Sequence, residues 1–250
     1  MSDMDLLVDL HRGQRRQGPG SDSLTLLALS LASLPEHQEL KIADIGCGTG
    51  ASTLTLAKAL RGSIIAVDFL PEFLCELETL AAANGVSNRI QTHCCDMTAL
   101  PFEEEQLDLI WSEGAIYNMG FENGIGNWRK FLKPSGVLAI SEITWLTRQR
   151  PVEVEEFWNH NYPQIDTASG KLEVLERQGF TPLGYFNLPV YCWLDNYYRP
   201  LEAVFNSFLD RHNHSQAAAE LVEEHRRDQA LYEKYSDQYS YGFYIARKTA

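Results

Sequence analysis

A chain of 250 residues that is 44% hydrophobic and 22% charged can bury the core of one α/β domain with an insertion, which excludes a disordered chain. Its 21 Lys+Arg against 34 Asp+Glu leave a formal charge of -13, which repels a phosphate backbone over most of the surface and argues against a nucleic-acid partner. The opening "MSDMDLLVDLHRGQRRQGPGS" has no apolar run of signal or membrane length, and Cys47, Cys75, Cys94, Cys95 and Cys192 are odd in number without zinc spacing; the expectation is a cytoplasmic protein with reduced thiols and no membrane association.

Residues 1–35 read as an N-terminal helical cap: a short amphipathic helix, a Gly/Pro break at "RQGPGS", and a second helix "DSLTLLALSLASL" with Ser21 or Asp22 as N-cap. Residues 36–250 read as the main domain. "KIADI" is a buried strand, "ASTLTLAKALRG" a helix ended by Gly62, "SIIAVD" a strand, and "PEFLCELETLAAANG" a helix with Pro71 in its first turn and Gly85 as cap. The strands "RIQTHCC" and "LDLIWS", a helix "NWRKFL", a turn "KPSG" and the strand "VLAISEI" follow. "PVEVEEFWNHNY" and "SGKLEVLERQG" read as helices, "TPLGYFNLP" and "YSYGFYIARK" as the last strands. The fold class is α/β, a Rossmann-like doubly wound sheet of seven strands, mostly parallel with an antiparallel last strand. A helical insert over about 191–237 precedes that strand. It is expected as a lid or as the contact of a homodimer, since a hairpin needs only a few residues there.

The glycine-rich "ADIGCGTGAS" poses the functional question. A nucleoside triphosphate loop needs Gly-Lys-Ser/Thr, and no lysine is present. Gly46, Gly48 and Ala51 fit G-x-G-x-x-A, with Asp68 about 20 residues on, so a dinucleotide stays open. Asp44, two residues before the first glycine, argues instead for a cation, because a carboxylate repels a pyrophosphate and attracts a sulfonium or ammonium. Asp44, Asp68 and Asp96 each fall at a strand end, along one edge of the sheet. There an acid can take both ribose hydroxyls and another the adenine amino group. Each acid alone has a plainer reading as a helix cap or turn residue.

The segments "IADIGCGTG", "IIAVDF", "CCDM", "LPFEEEQLDLIWSEGAI" and "WRKFLKPSGVLAISE", in this order over roughly residues 40–145, resemble the class I S-adenosylmethionine-dependent methyltransferases. The remainder is similar to an uncharacterised bacterial subgroup. The resemblance implies S-adenosylmethionine as cofactor, S-adenosylhomocysteine as product, and a methyl transfer to a small molecule. It carries cofactor contacts to Gly46, Cys47 and Gly48, to Asp68 with Phe69, and to Asp96 with Met97. Asp44 and Ser112 are further cofactor candidates, and Arg16, beside the Gly-Pro-Gly hinge, is placed to meet the methionyl carboxylate. Glu113 is the candidate base or amine anchor, with Tyr117 next, and Asn118, Trp145, Trp158 and Tyr162 are the candidate substrate wall. The chain departs from the nucleic-acid amine pattern, since "WSEG" stands where Asn/Asp-Pro-Pro-aromatic is required, and it lacks the Pro-Cys nucleophile of C5-pyrimidine chemistry. Adjacent Cys94 and Cys95 point to opposite faces of a strand, against a metalloid site. His212, His214 and His225 are expected to be solvated on the insert, and no metal is expected. A silent cofactor-binding protein and a nicotinamide-dependent oxidoreductase are the alternatives; the latter lacks a Tyr-x-x-x-Lys.

Overall fold

Strands of near-continuous apolar sequence, separated by helices, form one sheet in the computed structural model, which describes residues 2–35 and 37–249. The strands are β1 (Leu40–Ile45), β2 (Gly62–Asp68), β3 (Ile90–Cys94), β4 (Leu107–Glu113), β5 (Leu132–Trp145), β6 (Asp166–Thr167), β7 (Phe180–Asn187) and β8 (Tyr239–Lys248). Their order is β3-β2-β1-β4-β5-β8-β7, with β6 added to β5. β1 to β5 are mutually parallel, and β8 runs antiparallel between β5 and β7. The sheet thus has eight strands where seven are expected; the extra one is the two-residue β6.

The helices are α1 (Asp3–His11), α2 (Asp22–Leu31), α3 (Ala51–Ala59), α4 (Pro71–Ala83), α5 (Phe121–Trp128), α6 (Val152–Asn161) and α7 (Ala168–Arg177). The insert follows as α8 (Val190–Trp193), a π-turn at Leu194–Tyr198, α9 (Arg199–Glu202), α10 (Phe205–Arg211) and α11 (Gln216–Tyr235). Ser21 caps α2, its hydroxyl accepting from the Leu24 amide at 3.2 Å. The expected helix "NWRKFL" lies too late in the chain: α5 starts at Phe121, and Arg129–Phe131 form a single 3-10 turn leading directly into β5. Gly124 permits that earlier start, because a Cβ there would stand 2.5 Å from Ile116.

One sheet face buries Ile42, Leu56, Trp111 and Ile143 beneath α2, α3 and the insert. The other buries Ile45, Ile110, Leu138 and Ile140 against α5 and α7. A third cluster joins α1 to the insert, with Leu6 and Leu10 packed on Leu201, Phe205, Phe208 and Val222. Asp9 fastens the same junction, accepting from Arg211 at 2.8 Å and meeting His212 Nε2 at 2.9 Å. The N-terminal helix and the insert, far apart in sequence, therefore pack as one layer over the carboxyl ends of the strands. Among the described residues no helix is long and apolar enough to cross a membrane.

Gly62 opens β2 at φ +109, where a Cβ would lie 2.0 Å from the Leu40 carbonyl of the neighbouring strand. Arg89 closes the same corner: its guanidinium donates to the carbonyls of Gly62 (3.0 Å), Ala57 (2.5 Å) and Leu60 (2.6 Å), placing a cation at the C-terminus of α3. Arg89→Met keeps the stem and removes these bonds. A stability loss of about 2–3 kcal/mol is expected, read as a lower urea midpoint with unchanged slope.

Candidate cofactor and substrate site

β1 enters a turn at Gly46 and Gly48, with φ +73 and +54, that only glycine accommodates here. A Cβ on Gly46 would come within 2.3 Å of Ala115 Cβ, and one on Gly48 within 2.5 Å of Gln17 Oε1. The turn's amides are all engaged. Gly46 and Cys47 donate to the Val67 carbonyl at 2.8 and 3.0 Å, and Gly50 donates to the Cys47 carbonyl at 2.9 Å. Gly48 donates to Asp68 Oδ2 at 2.8 Å, and Thr49 to Gln17 Oε1 at 3.0 Å. No amide from Gly46 to Gly50 is left to cradle a pyrophosphate, which removes the main physical basis for a dinucleotide.

A cavity of about 590 Å³ opens against this turn. Asp68, Phe69, Asp96 and Met97 line it, in the positions expected from sequence. Asp68 also accepts from the Leu70 amide at 3.0 Å, and burial raises its pKa above the ordinary carboxylate value. Asp96 is exposed; Thr98 donates its hydroxyl (2.6 Å) and amide (2.7 Å) to Oδ1, which lowers its pKa and leaves Oδ2 facing outward from that pair. Phe69 is 55% exposed at the rim. Cys47 lines the cavity as well, its thiol pushed up by burial.

Asp44 does not line this cavity, contrary to the expectation of direct ligand contact. It lies fully buried behind the turn, where Oδ2 accepts from Ser52 Oγ (2.8 Å) and Thr53 Oγ1 (2.7 Å). The carboxyl thereby sits at the N-terminus of α3. Oδ1 has no partner among the described residues, and burial pushes the carboxyl up to about 7. Ser112 also lies outside the cavity, buried with its hydroxyl on the Ile45 carbonyl at 2.8 Å, where it joins β4 to β1.

Glu113 is the last residue of β4 and lines the cavity, with both carboxylate oxygens engaged. Oε2 accepts from Arg16 at 2.9 Å, and Oε1 accepts from Thr25 Oγ1 at 2.6 Å and Trp111 Nε1 at 3.0 Å. Arg16, 8% exposed, also donates to Asp22 Oδ1 at 3.2 Å. As placed, Glu113 is a strut between β4, α2 and the segment leading from α1, its carboxylate held by three donors of which one is charged.

Tyr117 and Tyr241 face both this cavity and a second of about 750 Å³. Asn118 lines the first, with its amide on the Ala115 carbonyl at 3.0 Å. Trp158, Tyr162 and Phe157 wall the second, Tyr162 edge-on to Tyr117 at 6.3 Å. Trp145 belongs to neither. It is 5% exposed, with the Arg150 guanidinium 4.4 Å above its ring. Its side chain falls on the core face of β5, a parity that the sequence already contains.

Gln17, His11, Tyr197, Tyr241 and His225 are among the cavity residues that are not site candidates in the sequence. His11 follows Leu6 and Leu10 on the buried face of α1, and His225 follows Ala218 and Val222 on that of α11, so helical periodicity could have found both. The expectation of solvated histidines holds for His214, which is exposed, but not for His212, at 9% side-chain exposure beside Asp9. Behind Tyr162 the carboxylate of Glu142 and the ammonium of Lys171 stand 3.9 Å apart, neither with a hydrogen bond among the described residues. Burial raises the first pKa and lowers the second.

Residues 42–136 match the family model described as "Methyltransferase domain". An uncharacterized protein of Haemophilus influenzae is 22% identical over 67% of this chain and 75% of its own length. The chloroplastic tocopherol O-methyltransferase of Arabidopsis thaliana is 26% identical over 70% of this chain, which spans only 47% of that longer protein. A solved S-adenosylmethionine-dependent methyltransferase of Geobacter sulfurreducens, in complex with S-adenosyl-L-homocysteine, has the same fold: TM-score 0.82, 18% identity, 97% of each chain covered.

Two outcomes follow from this geometry. Glu113→Ala leaves the buried Arg16 with only the partly exposed Asp22 as its acid and should destabilise by about 3–5 kcal/mol in urea titration. Trypsin should then cleave the segment at Arg12, Arg15 and Arg16 faster, with Glu113→Gln intermediate. For Asp44 the folded pKa of about 7 lies above the ordinary 3.8, so its contribution to stability is full below pH 4 and is lost as pH rises to about 7. Asp44→Asn removes that dependence: its melting temperature should gain on the wild type between pH 4 and 7 and run parallel above.

Proposed function

We propose that the protein, whose residues 42–136 match a methyltransferase domain and whose fold is that of S-adenosylmethionine-dependent methyltransferases, binds S-adenosylmethionine in the 590 Å³ cavity and methylates a small molecule seated in the adjoining 750 Å³ one. The observation that carries this reading is the glycine turn: its amides are taken, its rim is acidic, and the orphaned Asp44 Oδ1 lies behind it. Such a turn suits a cation where a dinucleotide would bring two phosphates. When bound, the sulfonium supplies an activated methyl carbon.

The chain's own residues supply the rest. Asp68 has lone pairs left for the ribose hydroxyls, Asp96 offers Oδ2 to the adenine amino group, and Phe69 and Met97 flank the base. Gly46, Cys47 and Gly48 approach the methionyl part, with Arg16 and Gln17 at its carboxylate. Tyr117 stands where the cavities meet and can orient the acceptor. Holding two reactants in line can contribute about 7–11 kcal/mol, so positioning accounts for much of such a reaction. The α1 and insert layer over the strand ends, joined through Asp9, favours an acceptor small enough to be enclosed, and the charge of -13 agrees.

Calorimetry should show both S-adenosylmethionine and S-adenosylhomocysteine binding more tightly than NADH. Asp68→Ala should weaken both by about 1.5–3 kcal/mol. With methyl-labelled cofactor and a cell extract separated by size, label should appear in the small-molecule fraction. Tighter binding of NADH, or label confined to macromolecules, would overturn the reading.

A further inference from the structure

The cavity contains an imidazole whose protonation pattern is set by the backbone. On α11, His225 Nδ1 lies 2.9 Å from the Leu221 carbonyl, one turn earlier. A carbonyl only accepts, so Nδ1 carries the hydrogen and the neutral ring presents a lone pair at Nε2. Nε2 has no hydrogen-bond partner among the described residues, and the side chain lines the same cavity as Gly46, Asp68 and Tyr117.

We infer that His225 is the proton acceptor of the methyl transfer, and that the acceptor substrate therefore carries a hydrogen on its nucleophilic oxygen or nitrogen. This rests on the reading of the cavity as the methyl-donor site. A lone pair on the acceptor's oxygen or nitrogen attacks the methyl carbon, and the carbon–sulfur bond breaks with its electron pair left on sulfur. The proton of the acceptor passes to His225 Nε2 and from the imidazolium to water. A thioether or tertiary amine acceptor has no such proton and needs no base.

The alternatives within the cavity are weaker bases by placement. Both oxygens of Glu113 are engaged by Arg16, Thr25 and Trp111. Tyr117 is 45% exposed as a residue, and desolvation of its hydroxyl by its neighbours raises it above its ordinary range, which keeps it a neutral donor. His11 packs 5.5 Å from His225, ring centre to ring centre, and stacks on Tyr197 at 6.1 Å; burial, with a contribution from His225, pulls it down to about 4, so it stays neutral when His225 takes a proton.

The charge environment of His225 is supplied from several elements. On α11 itself, Asp228 lies one turn later, with Glu224 and Arg227 beside it; α1 contributes His11 and the π-turn Tyr197, and Tyr117 and Tyr241 line the opposite wall. From α10 the ring of Phe205 reaches it edge-on at 6.4 Å. Asp228 has no hydrogen-bonded partner among the described residues and interacts electrostatically with His225, so its carboxylate favours the imidazolium as it forms.

Nitrogen-15 NMR of the full chain tests this without knowledge of the acceptor, with His225→Gln identifying the resonance. The ligand-free protein should show the Nδ1–H tautomer. At saturating ligand, the His225 Nε2 resonance should differ between the S-adenosylmethionine and the S-adenosylhomocysteine complexes, because only the former places a positive charge near Nε2. An Nε2–H tautomer, or an Nε2 resonance unchanged between the two complexes, overturns the assignment while leaving the cofactor reading intact. Failure of either ligand to bind in calorimetry overturns both together.

Discussion

The carboxylate of Glu113 is the interaction on which the site's geometry depends. It ends the central strand β4, and its partners come from Arg16 in the N-terminal segment, Thr25 in α2 and Trp111 in the core. Removing a carboxylate from water costs several kcal/mol, and only this complete set of donors, one of them charged, offsets that cost. The Gly-Pro-Gly segment makes the approach sterically possible: a Cβ on Gly20 would stand 2.5 Å from Arg16 Nη1 and 3.3 Å from Glu113 Oε2. Once Arg16 is anchored, Gln17 reaches the amide and hydroxyl of Thr49, and α1 is delivered onto the insert.

The glycine turn then acquires its character from which groups occupy its amides. The same backbone shape can present free N–H groups to a phosphate, but here Val67, Asp68 and Gln17 take them from within the protein. The carboxylates of Asp68 and Asp96 and the rings of Phe69 and Tyr117 are among the groups that face the cavity. Burial raises both Asp44 and Asp68, so each holds its proton more firmly than an exposed acid would. A cation near the turn favours the ionised forms, and a polyanion opposes them.

The insert's part is equally a matter of placement. Its helix α11 spans from one cavity to the other, with His225 at the first and Asp228 at the second. It is held there by packing rather than by a rigid linker: Val222 and Ala218 lie against α1 and α10, while Tyr232 stacks on Trp193 at 4.3 Å. The histidine that reads as a solvated surface residue in the sequence is, in this arrangement, part of a wall.

The alternation of strands and helices, the Ser21 cap, the glycine turn and the rim acids Asp68 and Asp96 were legible in the sequence, because each follows from local periodicity, from backbone conformations open only to glycine, or from the position of a residue at a strand end. Short-range context misled at α5, where Gly124 allows an earlier helix, and at Trp145, whose strand parity sends it into the core. Tertiary structure alone decided that Glu113 meets Arg16, 97 residues away, that Asp44 lies behind the turn rather than against the cavity, and that His11 stands beside His225. A lone pair or a charge has no assigned role until its partners are known. Those partners come from segments that only the folded chain brings within hydrogen-bonding reach, which local pattern does not encode.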